Sequence, residues 1–516
     1  MNKALSPSAV IGIVGAGTMG AGITQVAAQA GHSVLLYDSA PGAAARAATS
    51  IGKALASLAA RGKISAAQAD AAAGRIAPIA RLTDLAPAAL VIEAIVEDMA
   101  AKKALFAHLE SIVAPGAMLA TNTSSFSITA LAEGLRNPGR LAGMHFFNPA
   151  PIMKLVEIVR GAATDEAVVE TLFAVATRWG KTPVRAKSTP GFIVNRVARP
   201  FYAEALALYE AAADPAAMPA TMDAVMRDMG GFRMGPFELM DLIGHDVNAA
   251  VTRAVFEGFG NDPRFASSRT QQDLVAAGWL GRKSGRGFYD YGPGAAPPAP
   301  EILSPAPAPA CVALEGDFGP AESFAAAIAA SGIPCGRKAG AGEGRIIIEG
   351  AVLMLTDGRT ATGRIADGAP SDLVLFDLAL DYGQARRIAL AKADRTPVAA
   401  LAAAAGLVQA LGKAATPVAD TPGLMVLRTV VRLINEAADA VEAGTADAAA
   451  VDTAMRAGAN YPRGPLAWAG AIGLERVVAA LEALAAAYGE ARYRPSPFLR
   501  RQAGPRADSV VKKTLP

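Results

Sequence analysis

One of only four histidines in the chain, His145, stands in the run LAGMHFFNPAPIMKLVE, which closes on Glu157. Histidine is the side chain whose charge changes nearest neutral pH, and a carboxylate is its usual partner when it must hold a proton. Near the N-terminus, Gly15-Ala16-Gly17-Thr18-Met19-Gly20 has the GxGxxG spacing. The first glycine permits a tight turn, the second lets a pyrophosphate reach the backbone, and the third lets the next helix pack on the strand. Asp38 ends the following apolar run, SVLLY. A carboxylate there suits ribose hydroxyls and repels a 2′-phosphate, so the expected cofactor is NAD rather than NADP. A nicotinamide cofactor with a carboxylate-backed histidine is the equipment of an alcohol dehydrogenase. An alcohol is not acidic, so hydride loss needs a base that removes the proton at the same moment.

Asn122-Thr123-Ser124-Ser125 follow the apolar run Met118–Thr121. Ligands of open α/β folds gather at the carboxyl ends of strands, so these side chains either hydrogen-bond a substrate oxygen or cap the next helix. His32, His108 and His245 have no comparable setting and are expected on the surface or in packing.

The elements that must position these groups alternate as strand and helix. Residues 9–14 read as a buried strand, 21–30 as a helix, and 33–37 as a second strand, a βαβ unit. An alanine-rich helical stretch covers 42–75. Leu90–Glu93, Met118–Thr121, 139–145, 155–159 and 182–184 read as further strands, with a helix over 167–179. From 192 to 260 apolar residues recur at three- and four-residue spacing, a helical pattern. YGPGAAPPAPEILSPAPAPA then reads as an extended linker. Beyond it, 346–348, 352–356 and 373–378 read as strands without a glycine loop. TPGLMVLR at 421–428 repeats TPGFIVNR at 189–196, and Met455, Gly464-Pro465 and Gly473 repeat Met226, Gly235-Pro236 and Gly244. An internal duplication follows. The second copy has Leu427 where the first has Asn195, so a structural or dimerising role suits it.

The expected fold class is therefore α/β: a Rossmann dinucleotide-binding domain over 1–188 and an all-α domain over 189–291. A proline- and alanine-rich linker (292–310) leads to a degenerate Rossmann-like segment (311–418) and a second helical module (419–516). With 516 residues, 52% hydrophobic and 18% charged, the chain is long enough for several packed domains. A net charge of +3 gives no reason to expect nucleic acid or a membrane surface as partner. Cys311 and Cys335 are too few for a disulfide scaffold and lack metal-ligand spacing, so no metal is expected. The opening MNKALSPSAVIGIVGAG is not expected to be a signal peptide, and no run has the roughly 20 apolar residues of a membrane span. A soluble cytoplasmic enzyme is the expectation.

Taken together, VGAGTMGAGI, VIEAIVED, TNTSSFSIT, GMHFFNPAPIMKLVEIV, TPGFIVNR and GRKSGRGFYDY resemble the 3-hydroxyacyl-CoA dehydrogenase family over residues 10–291. The full length resembles the long bacterial form used in phenylacetate catabolism. The resemblance implies NAD as cofactor, an acyl-CoA as substrate, and self-association as a homodimer or higher oligomer through the helical domains. It implies oxidation of (S)-3-hydroxyacyl-CoA to 3-oxoacyl-CoA, with 3-hydroxyadipyl-CoA the usual substrate of the long form and 3-hydroxybutyryl-CoA the alternative. Position by position, His145 matches the general base and Glu157 the carboxylate that orients it. Ser124 and Asn195 match the groups that bond the reacting substrate. Asn148 matches a residue near the nicotinamide, and Glu97, Lys102 and Lys283 match further cofactor contacts, alongside Asn122 and the loop Gly15, Ala16, Gly17, Thr18, Met19 and Gly20. The family's serine and lysine on a helical hairpin fall on Ala54 and Arg61, leaving Arg61 or Lys63 to meet CoA phosphates. The competing readings are an NAD-linked dehydrogenase of free 3-hydroxy acids, a multifunctional β-oxidation protein with a hydratase half, and a non-catalytic NAD-binding regulator. No segment resembles a hydratase.

Overall fold

The computed structural model describes residues 5, 6 and 8–504, so the first four residues of the opening run, Pro7 and the end of the second helical module lie outside the described residues. The chain divides into two compact units. The first holds residues up to Arg196 together with Gly444–Ala459; the second holds Val197–Ala443 and the residues from Asn460 on.

The first unit is built on eight strands: β1 (Ile11–Val14), β2 (Val34–Tyr37), β3 (Ile76–Pro78), β4 (Leu90–Glu93), β5 (Met118–Thr121), β6 (Leu141–Phe146), β7 (Leu155–Arg160) and β8 (Thr182–Lys187). Their order is β3-β2-β1-β4-β5-β6-β7-β8. The strands β1 to β6 run parallel, and β7 and β8 run the other way. IGIV, LVIE and MLAT are buried along their whole length, as expected of strands covered on both faces. Ile11, Ile13, Ile23, Leu36, Ile92, Met144, Ile158 and Leu172 share one core, each burial worth about 1.5–3 kcal/mol. The order reverses between β1 and β4, and the carboxyl ends of those strands form the crevice where such sheets bind ligands.

The helical stretch read over 42–75 is two helices, Ala43–Ala60 and Ala66–Ala73. Gly62 adopts φ +67° and breaks the run, and Ser65 starts the second helix through a capping box with Gln68. Arg61 and Lys63 stand exposed on the turn between them.

The second unit carries a seven-stranded sheet: β9 (Val312–Asp317), β10 (Cys335–Glu343), β11 (Arg345–Ile348), β12 (Ala351–Leu355), β13 (Leu373–Phe376), β14 (Arg387–Lys392) and β15 (Ala414–Pro417), in the order β10-β9-β11-β12-β13-β14-β15. Four of these, β9, β10, β14 and β15, had no counterpart among the sequence expectations. The linker 292–310 has no regular structure but is tied down: Glu301 N donates to Thr221, Leu303 N to Ala415 O, and Ala306 N to Gln409.

The duplication is more regular than the TPG repeat suggests. Residues 141–196 align on 373–428 without a gap. The helix Glu166–Arg178 falls on the helix Val398–Ala410. Lys181 donates to Ala150 O and Met153 O, and Lys413 donates to Ala385 O, the position matching Met153. The modules also exchange helices. In the first unit the helix Ala448–Ala459, from the second module, packs on β7 and β8. In the second unit the helix Met218–Asp228, from the first module, packs on β14.

Candidate active site

The hairpin of β6 and β7 sets His145 directly opposite Glu157. His145 Nδ1 lies 2.7 Å from Glu157 Oε2, with the histidine 5% and the glutamate 0% exposed. An ionised carboxylate only accepts, so Nδ1 carries the proton and Nε2 is left to take one. Phe147 and Phe192 pack against the imidazole, ring centroids 4.5 and 5.8 Å away.

The second oxygen of Glu157 has another task. Oε1 accepts from the backbone N–H groups of Ile193 and Val194, both at 3.0 Å. These belong to the TPG turn, where Gly191 has φ +71° and Phe192 φ +47°. A left-handed phenylalanine costs about 1–3 kcal/mol, and the carboxylate holds that backbone in place. Asn195, the next residue but two, donates from Nδ2 to Ser124 O at 3.4 Å. One buried carboxylate therefore ties the histidine, the turn and the asparagine together.

At the other end of the crevice, Gly15 has φ +103°, and a Cβ there would come within 2.4 Å of Ala94 O. A Cβ on Gly20 would sit 1.8 Å from Gly15 O, whereas one on Gly17 would meet nothing within 4 Å. Gly17 caps the helix Thr18–Gln29 with no side chain over its first turn and with room beside it. That cradle fits a dinucleotide pyrophosphate. Asp38 accepts from Ala16 N at 2.7 Å and Ala40 N at 2.8 Å, so it braces the loop and keeps further lone pairs for ribose hydroxyls.

Between these ends lies a network that sequence reasoning did not assemble. Glu93, fully buried at the end of β4, accepts from Lys102 Nζ at 2.5 Å, Thr121 Oγ1 at 2.7 Å and Ile95 N at 2.7 Å. Lys102, 1% exposed, also lies 3.2 Å from Glu97 Oε2. Glu97 Oε1 accepts from Thr123 Oγ1, Ser125 Oγ and Ser124 N. Burial raises the Glu97 carboxyl, but Thr123, the Lys102 charge and Ser125 outweigh it and hold it below the ordinary carboxylate range. The loop 122–125 is thus fixed by carboxylates on β4 and just past it. Asn122 turns its side chain back to accept from Phe146 N at 2.9 Å, joining the ends of β5 and β6. Asn148 is exposed on the loop after β6.

Lys283 belongs to the second unit, where Asp246 accepts from it at 2.5 and 2.7 Å. That unit has its own histidine–carboxylate pair, His245 Nε2 to Asp241 at 2.7 Å, fully buried. Asp241 also accepts from Phe288 N, Tyr289 N and Tyr291 Oη, so this pair anchors the GFYDY segment rather than facing a crevice.

The gapless alignment places Asp377 at the position of His145, Ala389 at that of Glu157 and Leu427 at that of Asn195. Asp377 is fully buried and accepts from Met425, Val426 and Leu427 N–H groups, and from its neighbour Leu378. The second copy keeps a carboxylate on the turn but has neither base nor asparagine. Extending the TPG match backwards along the sequence would have exposed this.

The signature of the 3-hydroxyacyl-CoA dehydrogenase NAD binding domain matches residues 10–189, and that of the C-terminal domain matches 191–291 and 423–504. The 3-hydroxybutyryl-CoA dehydrogenase reduced Rossmann-fold domain matches 353–422. The 3-hydroxyadipyl-CoA dehydrogenase of Escherichia coli (strain K12) is 44% identical over 493 residues, 96% of this chain and 97% of that one. The chain belongs to the 3-hydroxyacyl-CoA dehydrogenase family. It is an NAD-dependent oxidoreductase of the long, two-module form. A crystal structure of 3-hydroxybutyryl-CoA dehydrogenase from Escherichia coli K12 superposes with a TM-score of 0.87 at 43% identity, covering 97% of this chain and 98% of that one. The probable 3-hydroxybutyryl-CoA dehydrogenase of Bacillus subtilis (strain 168), 43% identical, spans 54% of this chain with 96% of its own length. No helix among the described residues is long and apolar enough to cross a membrane.

Proposed function

We propose that this dehydrogenase oxidises (S)-3-hydroxyacyl-CoA to 3-oxoacyl-CoA, with His145 as general base. The observation that carries the reading is the buried 2.7 Å contact of His145 with Glu157 on the sheet that also bears the Gly15 loop. When bound, NAD supplies the hydride acceptor. His145 Nε2 takes the proton of the 3-hydroxyl, and Glu157 stabilises the imidazolium that results. Asn195 and Ser124 hydrogen-bond the reacting end of the substrate. Asp38, Glu97, Asn122 and Asn148 hold the dinucleotide, with Lys102 bracing Glu97 from its buried side, and Arg61 or Lys63 meets the CoA phosphates.

3-Hydroxyadipyl-CoA is the proposed substrate, because the E. coli relative that matches both modules carries that name. The structure of nearly equal coverage carries the name 3-hydroxybutyryl-CoA dehydrogenase, which makes the butyryl thioester the second reading. NADH formation with the two (S)-3-hydroxyacyl-CoA substrates side by side decides between them. A higher kcat/KM for the adipyl thioester is expected. Preference for the butyryl thioester would overturn the adipyl assignment, and activity with neither would overturn the function. A cytoplasmic location, a place in phenylacetate breakdown and self-association through the helical modules belong to the same proposal. Light scattering tests the last.

A further inference from the structure

The second helical module has no base of its own, yet one of its segments lies in the unit that bears the active site. Thr445 is 1% exposed there. Its carbonyl accepts from Lys187 N at 2.8 Å, at the end of β8. Its hydroxyl lies 3.2 Å from Thr189 Oγ1 and accepts from Arg196 Nη1 at 3.3 Å. Those partners bracket the TPG turn on both sides. The helix Ala448–Ala459 then crosses β7 so closely that a Cβ on Gly458 would sit 2.4 Å from Leu155 Cδ2 and 3.1 Å from Val194 Cγ2. Leu155 is two residues before Glu157, and Val194 N is one of the donors to Glu157 Oε1.

The duplication supplies a comparison inside the same chain. The helix that serves the sheet without a base, Met218–Asp228, has only alanine where Thr445 would fall, at Ala213 or Ala216 depending on where its longer loop is gapped. Where Gly458 would fall it has Met229, whose sulfur accepts from Ala389 N. At these two positions the hydroxyl and the glycine occur on the copy that touches the working sheet and not on the other.

We propose that Thr445 is a positioning residue for the reaction: its hydroxyl fixes the turn that holds Asn195 and the Glu157 carboxylate, so the second module completes the first module's active site. This rests on the functional reading above. It predicts that Thr445→Val, which keeps the carbonyl and the branched shape, lowers kcat with (S)-3-hydroxybutyryl-CoA by about three- to tenfold, the effect of one lost hydrogen bond. The KM for NAD stays at the wild-type value, and Thr445→Ser restores kcat. Gly458→Ala, which displaces Leu155, shows the same split between kcat and the KM for NAD. Wild-type kcat in Thr445→Val would overturn the proposal. So would a serine variant as slow as the valine one, or a loss of kcat that comes only with a raised KM for NAD. His145→Gln measured alongside separates the two readings. If it too keeps full kcat, the functional assignment has failed; if it alone is slow, only the role of Thr445 has.

Discussion

Glu157 holds two different structures with its two oxygens, so a single isosteric change should be felt in both. In Glu157→Gln the amide nitrogen either faces the N–H groups of Ile193 and Val194, donor against donor, or faces His145 Nδ1 and makes it an acceptor, which moves the ring proton to Nε2 and removes the base. We expect a loss of about 1–3 kcal/mol in urea unfolding together with a fall in kcat. His145→Gln leaves the turn untouched. It should lower kcat by ~10²–10⁴ while NADH binding, followed by fluorescence titration, stays near the wild-type value. The contact between His145 and Glu157 is legible in the sequence, because a short hairpin between two apolar runs brings residues of opposite strands into register. The Glu93 network is not. Glu93, Glu97 and Lys102 all appear in one short acidic and basic stretch, and only the end of β4 decides that Glu93 is the buried partner.

At the scale of elements, the loop after β6 hangs on Lys181, whose ammonium is buried against Ala150 O and Met153 O. Burial, with the Lys154 charge beside it, pushes the Lys181 pKa down from 10.5 to about 8. The native state then binds fewer protons than the unfolded chain between those values, so this residue's contribution to stability rises with pH through that window and is lost as pH falls through about 8. The urea midpoint of the wild type should therefore gain on that of Lys181→Met between pH 8 and pH 10; a constant difference would remove the linkage. Lys413 is likewise pushed down by burial in the second copy, which has no base to serve, so the brace belongs to the fold. The Rossmann strands are legible because each is a short apolar run bounded by turn residues. The turn at 61–65 is hidden within an alanine-rich stretch, where Gly52 lies inside a helix and Gly62 follows its end, so glycine alone does not mark the break. In β14 and β15, RIALAK and AATP carry too little alternation or β-branching to stand out.

Across the whole molecule, helices of the two modules meet within one chain. In the second unit Arg199–Ala211 packs on Val426–Glu442. Glu204, fully buried, accepts from Arg428 Nε at 2.6 Å and Tyr493 Oη at 2.8 Å, with Arg432 Nε 3.4 Å away. Burial raises the Glu204 carboxyl, but Arg428 and Arg432 outweigh it and hold it low. Removing one member of such a buried group leaves charge without compensation, at a cost of about 3–5 kcal/mol. Glu204→Gln should lower the melting temperature and leave the mass by light scattering unchanged, because the contact lies inside the chain. A change of mass would mean that this seam also joins subunits.

The carboxylate under the second TPG turn comes from Asp377, on the strand where the working copy has its histidine, and the glutamate position opposite is Ala389. The two positions therefore depend on each other. Ala389→Glu alone crowds two carboxylates into one buried site, and Asp377→His alone leaves three buried N–H groups of the turn without an acceptor. The route back to a second base therefore has no single-step entrance, and each half of the chain is held to its trade.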